Sequence, residues 1–123
     1  MTAIGRTLHR SLTMLDLDGL PNTGITARIS TEVARVLAES GLGKVYRELS
    51  TGDRLQPPTS SAPRRGYVDF AVIRADVVVL VIEIDRSDKR FSLTKLEHFR
   101  ERGAAVIWVR WGKPTRLQVP DGV

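Results

Sequence analysis

Apolar residues recur at helical spacing twice near the N-terminus. Ile4, Leu8, Leu12 and Leu15 share one face and predict a helix over residues 3–15. Turn formers crowd residues 16–24 (DLDGLPNTG) and end it. Ile25, Ile29, Val33, Val36 and Leu37 predict a second helix over 26–40, with Gly41 as its stop. The period then shortens, and residues 44–49 (KVYREL) alternate as a short strand. Residues 67–73 and 77–85 read as two strands rich in β-branched side chains, joined by a tight turn at Arg74-Ala75-Asp76. A turn and a helix follow, with Leu93, Leu96 and Phe99 inward and Gly103 as the stop. Residues 104–111 (AAVIWVRW) form the last strong strand, and the tail 112–123 reads as irregular.

This order, α-α-β-β-β-α-β, predicts an α/β fold. A mixed four-stranded sheet would carry helices on its faces, and the strand–helix–strand crossover into the last strand would be parallel and right-handed. The 123 residues fit one domain, with its core over about 26–111. Between the first two strands lies a loop, residues 50–66, with three prolines and three serines. It is longer than most connections in compact domains and is expected to be mobile without a partner.

Composition narrows the function classes. The longest apolar run, residues 77–82, is far short of the ~20 residues a bilayer needs, so no membrane span is expected. The N-terminus carries Arg6, His9 and Arg10 without a continuous apolar stretch, which argues against a signal peptide. With no cysteine, disulfides and thiolate metal sites are excluded, and a cytoplasmic location is the simplest reading. The net charge is +5, and residues 63–123 hold most of the excess, with 12 basic against 8 acidic side chains. Fifteen of the 19 cations are arginine, whose planar fork suits phosphate. A basic half suits a nucleic-acid binder; arginine-favouring codon usage with an ordinary solvated surface is the competing explanation.

The informative chemistry is acidic. Glu83 and Asp85 lie two apart at the end of the third strand and so share a face, with Ile84 turned inward. If the hairpin turns about Ala75, Tyr67 lies opposite Glu83 and Asp69 sits diagonally beside it. Carboxylates crowded this way raise each other's pKa unless a cation joins them. A hard divalent cation such as Mg²⁺ meets that need with one or two carboxylates, waters and a substrate phosphate. The alternative is that these residues merely end their strands in solvent.

The segments Gly66-Tyr67-Val68-Asp69-Phe70 and Val81-Ile82-Glu83-Ile84-Asp85, followed by a helix and an apolar strand, resemble the PD-(D/E)XK superfamily of restriction-endonuclease-like enzymes. The Glu-Ile-Asp triplet looks like the uncharacterised bacterial branch with E-x-D in place of E-x-K. Archaeal junction resolvases and very-short-patch repair nucleases share the core layout. The resemblance implies a restriction-endonuclease-like core and a nuclease that binds or hydrolyses DNA with Mg²⁺ or Mn²⁺. Asp69 and Glu83 would be metal ligands, the Ile84 carbonyl would contribute, and Glu32 would take the place of the first helix's carboxylate. Asp85 stands where most members carry the lysine that orients the attacking water. Lys95, in the first turn of the next helix, is the natural replacement cation, with Arg86 and Lys89 behind it. Arg64, Arg65, Arg86, Lys89 and Arg90 are the cations expected to meet DNA phosphates. A homodimer or larger complex would often be needed to reach two strands. The alternative function is a catalytically inactive nucleic-acid-binding or protein-interaction module that keeps the nuclease fold.

Other residues carry less. His98, beside Glu97 and Arg100, is expected on the exposed side of its helix, and His9 is isolated. Trp108 and Trp111 should face opposite ways, one in the core and the other open to stack on a base or a protein surface.

Overall fold

The computed structural model describes residues 2–55, 63–86 and 90–112. Its element order is the expected one: α1 (Ala3–Thr13), α2 (Asn22–Ser40), β1 (Lys44–Leu55), β2 (Arg64–Arg74), β3 (Val77–Arg86), α3 (Arg90–Arg100) and β4 (Ala105–Trp111). The four strands form one sheet in the order β1-β2-β3-β4. The first three are antiparallel neighbours, and β4 runs parallel to β3. No helix among the described residues is long and apolar enough to cross a membrane.

Two apolar layers clamp this sheet. Leu8 and Leu12 of α1 and Ile29, Val33, Val36 and Leu37 of α2 pack on one face, against Phe70, Val72, Leu80, Ile82, Ile107 and Val109. Leu96 and Phe99 of α3 cover the other face, with Val81, Val106 and Trp108 beneath them. Because both faces are covered, β3 is buried continuously from Leu80 to Asp85 rather than in alternation.

Element ends differ from the sequence expectation for local reasons. The Thr2 hydroxyl accepts from the Gly5 amide and starts α1, which stops two residues early, at Thr13. α2 begins four residues early because the Ile25 amide already donates to the Pro21 carbonyl, drawing Asn22, Thr23 and Gly24 into its first turn. It ends as expected at Gly41, whose φ is +70°. β1 and β2 run on through much of the expected 50–66 loop, as Arg54↔Arg65 and Leu55↔Arg64 are paired. The remainder of that loop lies outside the described residues, as does the tail beyond Gly112.

Two side chains sit elsewhere than expected. His98 is buried, edge-on to Phe99, rather than on the exposed side of its helix. Trp108 and Trp111 do face opposite layers, but both are core residues, so neither is an open stacking platform.

Candidate functional site

The site forms where the sheet splits. The β2–β3 ladder begins at Phe70↔Ile82, whereas β2 stays paired with β1 to Arg64 and β3 with β4 to Arg86. Between these two arms the strands fork. Asp69 stands at the vertex: its Oδ2 accepts from the Ile84 amide at 2.7 Å, replacing a ladder hydrogen bond with a carboxylate one.

The pleat itself reverses at this point. Val45 and Leu49 have the same strand parity, yet Val45 packs with the α1/α2 layer and Leu49 with the α3 layer. Phe70 and Val68 divide in the same way on β2. The residues at the reversal are Glu48, in left-handed conformation at φ +55°, and Asp69 beside it. The hairpin register also differs from the expected one. Ala75 and Asp76 both have positive φ, which is the primed type I turn, and the register shifts once between Val72 and Ile73. Continued from Phe70↔Ile82, that register sets Asp69, rather than Tyr67, against Glu83.

Glu83 points toward α3 and is 2% exposed. Its Oε2 accepts from the Ser92 hydroxyl at 3.2 Å. Its Oε1 accepts no well-aligned hydrogen bond and meets the Lys95 ammonium as an ion pair at 3.1 Å. The same ammonium donates to the Tyr67 carbonyl at 2.9 Å, bridging the two arms of the fork. Lys95 sits in the second turn of α3 rather than the first, and Ser92 precedes it by three residues. One helical face therefore offers Glu83 both donors.

Burial pushes the Glu83 carboxyl up to about 8, with the Asp69 charge adding to the rise and Lys95 opposing it. Asp69 is also raised, first by burial, while its hydrogen bond from Ile84 pulls the other way. Asp85 and Glu48 add repulsion at Asp69, and Lys95 offsets part of it.

One expected member is not at the fork. Glu32 is tied to Arg35 at 2.7 Å on the outer side of α2, with Ser11 of α1 as a further neighbour. That pair holds its carboxyl below the usual range, so the α2 carboxylate expected at the metal is committed elsewhere. Asp85 is buried and accepts from the Trp108 indole N–H at 2.8 Å, while its charge acts on both Asp69 and Glu83. Of the expected phosphate contacts, Arg64 lies 4.6 Å over the Phe91 ring of α3, and Arg65 and Arg86 are exposed. Lys89 and the Arg90 side chain lie outside the described residues.

No family model matches this chain, and no curated protein matches it. Among solved structures, the crystal structure of SSO0001 aligns with a TM-score of 0.35 at 14% identity, over 96% of this chain and 74% of that one. At that score the likeness carries no argument.

Among the described residues, no group of three or more His, Asp or Glu side chains is arranged to hold an ion. Asp69 and Glu83 are the two carboxylates here that could be offered to a Mg²⁺, an ion that keeps several waters and takes its remaining oxygens from a phosphate. Because burial raises the Glu83 carboxyl to about 8, a divalent cation bound there would have to displace the Glu83 proton. Sequence reasoning missed Ser92 and Glu48. Ser92 was detectable as a hydroxyl three residues before Lys95. Nothing in a glutamate between Arg47 and Leu49 announces a left-handed backbone.

Proposed function

We propose that the chain is a PD-(D/E)XK-type nuclease domain acting on DNA, with Asp69 and Glu83 as ligands for Mg²⁺ or Mn²⁺ and Lys95 as the cation at the reacting phosphate. The observation that carries this reading is the Lys95 ammonium, delivered from α3 onto Glu83 beside Asp69. It supplies from a helix the charge that the E-x-K motif would supply from the strand, where this chain has Asp85. A bound divalent ion would polarise a phosphoryl oxygen and acidify a water. Glu83 and Asp69 would orient it, and the ammonium, 14% exposed along its side chain, would stabilise charge on the phosphate. The position agrees with the tendency of α/β sheets to bind ligands beyond the carboxyl ends of their parallel strands, here β3 and β4. Arg64, Arg65 and Arg86 would meet neighbouring phosphates.

The second reading, an inactive module that binds DNA without cutting it, draws on Asp85 being locked to Trp108 where the motif lysine would stand. Calorimetric titration with Mg²⁺ and Mn²⁺, followed by cleavage assays on single-stranded, duplex and branched DNA, separates the two. Lys95→Ala should abolish cleavage and leave metal binding in place. Metal binding with no cutting by the unaltered protein would favour the second reading, and affinity for neither metal nor DNA would end both.

A further inference from the structure

We propose that Gly66 is a positioning residue: its missing Cβ is the gap through which the Lys95 stem reaches Glu83 and the Tyr67 carbonyl. This rests on the reading of Lys95 as the cation of the site and names what places it there. Gly66 lies within β2 and is not among the residues at positive φ, so its backbone does not require glycine. What it lacks is volume. A Cβ there would stand 2.5 Å from Lys95 Cδ and 2.7 Å from Cγ, with Thr51 Cγ2 at 3.4 Å. Carbon atoms rest about 3.5–4.0 Å apart, so the stem would have to move.

That stem is fixed at both ends. Its root is on α3, next to the fully buried Leu96. Its head is held by the Tyr67 carbonyl at 2.9 Å and by Glu83 at 3.1 Å, with the Phe91 ring 5.6 Å away. The strand cannot easily recede either, since the Gly66 amide donates to the Thr51 hydroxyl at 3.2 Å. The middle of the stem therefore cannot swing aside without lifting the ammonium from Glu83. The smallest side chain on β2 thus sets where the cation stands.

The test is a double-mutant cycle of Gly66→Ala and Lys95→Ala, read by urea denaturation, with the lysine ammonium followed by ¹⁵N NMR. Overpacking of this kind should lower the folding equilibrium constant roughly tenfold in the parent background, and by little or nothing once Lys95→Ala has emptied the gap. The Lys95 ammonium signal, assigned by its loss in Lys95→Ala, should move to the position of exposed lysines in Gly66→Ala. If Gly66→Ala does not fold, the double variant should fold. Equal losses in both backgrounds, an unmoved ammonium signal, or a double variant that stays unfolded would overturn the proposal. None of these readouts needs metal or DNA, so a chain that cuts nothing would sink the nuclease reading and leave this one standing.

Discussion

Burial and the Asp69 charge hold a proton on Glu83 up to about pH 8, from an ordinary value of 4.5, and the sign of the consequence follows by linkage. The folded chain binds this proton more tightly than the unfolded chain does. The resulting stability is therefore fully present below about pH 4.5 and is lost as the pH rises toward about 8. Glu83→Gln, which keeps the shape and removes the titration, should flatten that part of the stability profile. Chemical denaturation at several pH values measures it, and an unchanged slope would mean that Glu83 ionises freely. Asp85 is expected to behave differently. Its work is to accept from a buried indole, so Asp85→Ala should cost about 1–3 kcal/mol by orphaning that donor, with metal affinity little changed. A variant that folds normally but no longer binds metal would place Asp85 among the metal ligands.

At the scale of elements, the β1–β2 arm beyond the pleat reversal also reaches α3, which packs mainly on β3 and β4. Arg64 stacks on Phe91, and Arg65 is exposed at the next position along β2. Replacing both with alanine should weaken DNA binding and lower its salt dependence by about two charges. An unaltered salt slope would show the pair to be merely solvated. The same arm shows what the sequence could convey. The helical stripes of α1 and α2 and the apolar run of β3 were legible because burial repeats with the period of each element. The arm reads as loop in the sequence because its serines and prolines outweigh the backbone pairing that the fold gives it. The hairpin register was missed because Ala75 and Asp76 do not carry the Asn-Gly signature of their turn. Despite that shift, Asp69, Glu83 and Lys95 lie together at the fork.

Across the whole molecule, the helical layers bury the sheet from both sides, and the charged chemistry gathers where the ladder stops. Glu32 shows why the remainder of the site was illegible: Arg35, three residues on, captures it, and no periodicity distinguishes a carboxylate bound for a metal from one bound for its own helix. The fork also gives the sheet an indicator of its own. The Ile84 amide is held by the Asp69 side chain rather than by a neighbouring backbone carbonyl, so the resonance of one main-chain proton should follow whatever happens to that carboxylate. Protonation, a captured ion or an arriving phosphate would each shift it, with no label and no turnover. An experimenter could watch the vertex fill by listening to a single amide in the middle of a β-strand.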